Sequence, residues 1–163
     1  PGLYRAEDYE GLVLCTVVHV EIGKIAFGTS ASEGVLRVTL RGQHEQEMAR
    51  LQHRLDNLAY GLASEYGLEY HAEFCDYFPE NLNHDESVEK IRQICARLKI
   101  PVEEFAHPKR GSEDFGYFTK RTKGAYFNVG AGDVTAHHTT TYDFPDEIIP
   151  TALAVFKGLA DVK

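Results

Sequence analysis

Apolar positions change period several times along this chain, and each change marks an element. Gly11 to Val20 is a short β-branched run followed by turn residues at Gly23 and Gly28–Ser32, which predicts a strand and a loop. Leu36, Val38 and Leu40 then alternate with Arg37, Thr39 and Arg41, so a second strand with one apolar face is expected, paired antiparallel to the first. Between Gln43 and Tyr66 the period lengthens: Met48, Leu51, Leu55, Leu58, Ala59 and Leu62 form the stripe of an amphipathic helix that Gly67 stops. Alternation returns at Leu68, Tyr70, Ala72 and Phe74, predicting a third strand with one buried face.

A boundary is expected near Phe78-Pro79. Beyond it Asn83 and Glu86 have the spacing of a capping box, opening a helix that carries Val88, Ile91, Ile94 and Leu98 and ends at Pro101. A short strand at Val102–Phe105, a turn at Pro108–Gly111, a helical turn from Ser112 and a strand at Ala125–Val129 follow. A last helix from about Asp146 buries Ile149, Ala152, Val155, Phe156 and Leu159. The fold class is therefore α/β or α+β. Strand, strand, helix, strand is also one strand and one helix short of the ferredoxin-like plan, so the first part reads as incomplete.

Composition narrows the function. With 17 Lys and Arg against 25 Asp and Glu, the net charge of −8 opposes a protein that tracks nucleic-acid phosphates, and no basic stripe interrupts it. The longest nearly apolar run, Leu12–Val18, is far short of the roughly 20 residues that span a bilayer. Cys15, Cys75 and Cys95 are odd in number and lack Cys-x-x-Cys spacing, which fits reduced thiols and a cytoplasmic setting. The chain opens at Pro1 without a Met or a basic-then-apolar leader, so its true N-terminus is expected upstream.

Two segments carry candidate chemistry. His137-His138 lies between Gly130-Ala131-Gly132-Asp133 and the last helix, in a strand-to-helix loop where a neutral imidazole can bind a divalent cation. Adjacent residues point apart, so one ligand at most is expected; two solvated loop histidines are the plain alternative. Gly111-Ser112-Glu113-Asp114-Phe115 places two carboxylates behind a Gly-Ser turn, whose N–H groups could hold a substrate anion. A capping serine with acids at a helix start explains the same residues. His19, His44, His53, His71, His84 and His107 lie apart from any second ligand in sequence, and Glu103-Glu104 reads as a solvated pair.

Together the two segments resemble one family, the metal-dependent amidohydrolases that include aminoacylases, hippurate hydrolases and indole-acetyl-amino-acid hydrolases. The resemblance rests on GSEDFGYF (Gly111–Phe118), GAYFNVGAG (Gly124–Gly132) and HHTTTYDFPDEIIP (His137–Pro150), with YFPENLNHDE (Tyr77–Glu86) resembling the return from lid to catalytic domain. Counting back from Tyr142-Asp143-Phe144 sets the family's metal-ligand position on His138. The chain departs from the family pattern at Thr140, where Pro is usual, at Pro145, where Asn is usual, and after Gly28-Thr29, where Asn-Val-Ile-Pro is missing.

The resemblance implies residues 1–77 as an incomplete ferredoxin-like lid, or dimerisation, domain and 78–163 as the C-terminal part of an α/β catalytic domain. It implies two divalent metals per full-length subunit, Zn or Mn, with His138 holding one and Gly111, Ser112 and Glu113 facing the substrate. The general base and remaining ligands are expected upstream, so this chain alone is expected to be inactive. The implied substrate is an N-acyl-amino acid, a dipeptide or a similar small amide, and the implied partner is a second copy bound through the lid. A non-enzymatic α+β binding or dimerisation module is the rival reading.

Overall fold

A computed structural model describes residues 5–161, which mix helix and strand and divide into two compact units. The first runs to Glu80 and adds His107–Ser112, and the second takes Asn81–Ala106 and continues from Glu113.

In the first unit, β1 (Val13–Ile22) pairs antiparallel with β2 (Gly34–Gly42), as the alternation predicts. The register slips once: Val17 faces Val38 and His19 faces Arg37, leaving Val18 as the extra residue of a β-bulge. That slip keeps Val13, Cys15, Val17, Val20 and Ile22 on one face with Leu36, Val38 and Leu40. The opposite, mostly polar face carries Leu14, Thr16, His19 and Glu21 with Val35, Arg37, Thr39 and Arg41.

Helix α1 (Glu45–Glu65) covers one end of this ribbon. Gly42 permits the approach, because a Cβ there would lie 3.0 Å from the Met48 Cβ and 3.1 Å from its backbone. Leu51 is fully buried in α1, and Val13 is buried at the start of the ribbon. His44 does not cap the helix with its side chain. Glu80 replaces it: its carboxylate accepts the Glu45 N–H at 3.4 Å, and the Glu45 carboxylate accepts the Glu80 N–H at 3.1 Å. At the other end the Leu68 N–H reaches Ala63 O at 2.8 Å and the Gly67 N–H reaches Ser64 O at 3.3 Å, with Gly67 at φ 66°. This is the Schellman stop that Gly67 predicts.

The third strand expected at Leu68–Cys75 does not form: the segment makes no ladder with β1, β2 or any other strand among the described residues. Leu68 and Phe74 are exposed. Tyr70 ties the segment to α1: its hydroxyl donates to Asp56 at 2.7 Å and its ring meets Tyr60 edge-on at 6.2 Å. That hydrogen bond, followed by burial and the Asp56 charge, pushes the Tyr70 pKa up to about 12.

In the second unit α2 (Asp85–Leu98) packs on α4 (Ile149–Ala160), which follows a short 3-10 turn at Asp146–Ile148; α3, between them, is a single turn at Gly116–Thr119. Ile94, Cys95 and Val155 form the buried centre, with Ile91, Ile100, Phe127 and Leu159 against it. Gly158 sets the spacing: a Cβ there would fall 2.7 Å from Ile94 Cγ2, so only glycine lets the helices come this close. Ile149 and Phe156, expected inside, are largely exposed, because α2 covers only the Val155 side of the helix.

The capping box is absent as well. His84 takes the N-cap position of α2 and its side chain makes no cap bond. Asn83 instead accepts the Tyr126 N–H at 2.7 Å and donates to Tyr126 O at 2.9 Å, while Glu86 pairs with Lys123 at 2.7 Å. The segments Val102–Phe105 and Ala125–Val129, expected as strands, form no ladder among the described residues, the second being clasped by Asn83 and, just before it, by the His84 N–H to Gly124 O at 3.0 Å. No helix among the described residues is long and apolar enough to cross a membrane.

Leu51 has no exposed surface, so Leu51→Ala leaves a cavity between α1 and the sheet. The expected loss is about 2–5 kcal/mol in urea unfolding followed by circular dichroism. A loss below about 1 kcal/mol would mean that the sheet face collapses onto α1 and fills the space.

Candidate functional site

The GSEDF segment spans the division between the units: Gly111 and Ser112 belong to the first, and the second resumes at Glu113. The helical turn expected from Ser112 starts later, at Gly116 in α3. Ser112 is therefore not its cap. Its hydroxyl lies 3.4 Å from Arg41 Nη1, and the same guanidinium nitrogen donates to the Arg110 carbonyl.

Inside the second unit, the GSEDF and GAYF segments meet. The Phe115 ring packs on Tyr126 at 5.6 Å and on Phe118 at 5.7 Å, and lies 3.7 Å from where a Cβ on Gly124 would sit. Glu113 faces the Tyr126 hydroxyl. Burial first, then the Glu113 charge and hydrogen bond, hold that phenol above its ordinary value. An apolar groove of about 530 Å³ opens beside these rings, lined by Phe115, Tyr126, Phe127, Ile91, Phe156 and Leu159, with Lys90 and Lys123 at its polar side.

The His137-His138 loop is a turn. Thr139 Oγ1 donates to Ala136 O at 2.8 Å, and the Tyr142 N–H reaches Thr139 O at 3.2 Å. The two imidazoles differ in their surroundings. His137 packs on the Tyr142 ring at 4.9 Å, whereas His138 is exposed and holds a left-handed backbone at φ 64°. Among residues other than glycine, histidine, asparagine and aspartate enter that region most readily, so His138 fits this position of the turn.

Among the described residues no three His, Cys, Asp or Glu side chains converge to hold a metal ion. An exposed imidazole is a chemically suitable single donor, and further donors would have to come from elsewhere to complete a four-coordinate site. A second, acidic hollow of about 320 Å³ in the first unit is lined by Glu10, His44, Glu45, Glu47 and Glu80. The carboxylates of Glu45 and Glu80 are engaged in the helix cap and that of Glu47 with Arg50.

Sequence reasoning missed Arg41 and Tyr126, the side chains that touch Ser112 and Glu113. Arg41 sits in an ordinary strand alternation, and only the fold brings it to a residue 71 positions away. Tyr126 lies within the GAYF motif, but nothing in its spacing joins it to Glu113.

The sequence profile of the peptidase family M20/M25/M40 matches residues 6–161. An N-acetyldiaminopimelate deacetylase of Lactobacillus acidophilus is 26% identical over 148 residues, covering 85% of this chain and 38% of that protein. A hippurate hydrolase of Campylobacter jejuni is 25% identical over 138 residues, covering 83% of this chain and 36% of that protein. The crystal structure of the Bacillus subtilis YXEP protein, described as a dinuclear metal binding peptidase of the M20 family, superposes with a TM-score of 0.78 at 19% identity. The match covers 91% of this chain and 41% of that one. The chain thus spans about two fifths of the length of these relatives.

The Glu113–Tyr126 pair is open to titration. A raised phenol pKa means that the folded state favours the neutral ring, so its contribution to stability is present below the ordinary tyrosine value of 10.0 and is lost as pH rises through the folded value. In Glu113→Gln the Tyr126 transition should move down toward the ordinary value while keeping the part that burial causes. Ultraviolet difference titration, with Tyr126→Phe marking the band, reads this directly. A transition unmoved by Glu113→Gln would show that the carboxylate does not face the phenol.

Proposed function

The chain belongs to the peptidase family M20/M25/M40, and from that membership we propose that it is part of a binuclear metal-dependent amidohydrolase. The proposed substrate class is N-acyl-amino acids, dipeptides and similar small amides. The observation that carries this reading is the family match across residues 6–161, together with relatives named as a deacetylase and a hippurate hydrolase.

In this reading residues 1–77 serve as the lid and residues 78–163 as the C-terminal part of the catalytic domain. His138 donates one imidazole nitrogen to one of two divalent cations, Zn or Mn, whose remaining ligands lie in the rest of the enzyme. The cations, when bound, supply Lewis acidity toward the amide carbonyl. The work of this chain is to bind and orient. The Thr139 and Tyr142 hydrogen bonds hold the His138 turn in one conformation. Gly111, Ser112 and Glu113 face the substrate. Proton transfer falls to a general base outside these 163 residues.

A second copy is the proposed partner, bound through the lid in a cytoplasmic homodimer. Support comes from the apolar ribbon face, where Val17, Val20, Ile22 and Leu36 are each more than half exposed.

This reading has two measurable outcomes. The 163-residue chain by itself should hydrolyse no acetyl-, benzoyl- or indole-acetyl-amino acid and should bind Zn or Mn weakly, since one imidazole does not fix a coordination geometry. Turnover above a metal-only blank would overturn it.

In the full-length enzyme, His138→Asn keeps a residue that tolerates a left-handed backbone but removes the imidazole. Bound metal by elemental analysis and kcat should fall together, by about a hundredfold or more. His137→Ala should lose only its packing on Tyr142 and retain both. If His137→Ala is the metal-poor enzyme, the ligand register is off by one, and if both variants are normal the binding-module reading replaces this one.

A further inference from the structure

Resting on the reading that Gly111 and Ser112 receive the substrate, we propose that Arg41 is a positioning residue that sets the Gly111–Ser112 turn and orients the Ser112 hydroxyl toward a substrate oxygen. Residues 107–112 fall within the part of the sequence that otherwise builds the second unit, yet they belong to the first. Arg41 contributes to this attachment. From the polar face of β2 its Nη1 donates to the Arg110 carbonyl, just before the turn, and to Ser112 Oγ at 3.4 Å, within the turn. One side chain thereby ties down both sides of Gly111, at a glycine with open space around it.

The direction of the second bond matters. A guanidinium has donors only and stays charged, so Ser112 Oγ must accept from it. The hydroxyl hydrogen is then left for a different acceptor, and the charged donor polarises the O–H. A carbonyl or carboxylate oxygen of an N-acyl-amino acid is an acceptor of the right kind. Arg41 itself touches the turn and acts through Ser112.

The Arg110–Gly111 bond is also a trypsin site, which gives a readout independent of catalysis. In the full-length enzyme, Arg41→Ala should raise the rate of nicking after Arg110 by roughly fivefold or more, since cleavage follows the population in which the turn is detached. Nicking elsewhere should stay the same, and mass spectrometry of the fragments separates the sites. Arg41→Lys, which keeps a charged donor, should recover part of the protection. On an N-acyl-amino acid, Arg41→Ala should raise KM by about tenfold with kcat within about twofold. Adding Ser112→Ala to Arg41→Ala should cost nothing further, because the two act as a unit.

Unchanged nicking after Arg110 overturns the anchor. Additive effects of Arg41→Ala and Ser112→Ala on KM, or an unchanged KM with faster nicking, overturn the positioning role. If the wild-type enzyme turns over no small amide, the functional reading fails, and the nicking rates still decide whether Arg41 holds the turn.

Discussion

The single extra residue at Val18 governs the face on which every later side chain of the β-ribbon lies. A strand alternates strictly, so without the bulge Val20 and Ile22 would stand beside Thr16, and His19 and Glu21 would join Leu36 and Val38. With it, one face of the ribbon is apolar from Val13 to Ile22 and α1 can bury the end nearest Gly42. A two-stranded ribbon is marginal in water on its own, so its pairing depends on that one-sided cover. The same division of faces leaves Arg37, Thr39 and Arg41 together on the other side, and from there Arg41 reaches the turn that opens the GSEDF segment.

Legibility in the sequence followed the range of the forces involved. The paired strands, α1, α2 and α4 were readable because a helix or hairpin is stabilised by neighbours a few residues away, and periodicity records those neighbours directly. Leu68–Cys75 and Ala125–Val129 also read as strands, but a strand-like pattern describes side-chain faces and says nothing about a partner edge. Neither segment pairs with a strand among the described residues. Asn83 and Glu86 had the right spacing for a local cap. Each is drawn to a distant partner instead, Asn83 to the backbone of Tyr126 and Glu86 to Lys123, and in exchange α2 gains a tie to the chain that carries the site.

The candidate site divides along the same line. The His137-His138 loop and the GSEDF segment could be found as local strings, and His138 holds a left-handed backbone that histidine enters more readily than most residues. The group that steadies Ser112 comes from far away in sequence. Arg41 is 71 residues from Ser112, and no pattern of spacing within β2 distinguishes it from Arg37. Helix α1 shows the same dependence at its first turn, where Glu80 supplies the capping carboxylate from 35 residues away.

The first unit is also discontinuous in sequence, and that has a consequence during synthesis. Its ribbon and α1 emerge from the ribosome early, but Glu80 comes later and His107–Ser112 later still, after the whole of α2. The unit therefore cannot close until residue 112 is clear of the exit tunnel. Until then Arg41 lacks its carbonyl, and before Glu80 emerges the start of α1 lacks a cap, so the nascent chain presents an unfinished first unit to the chaperones that meet it.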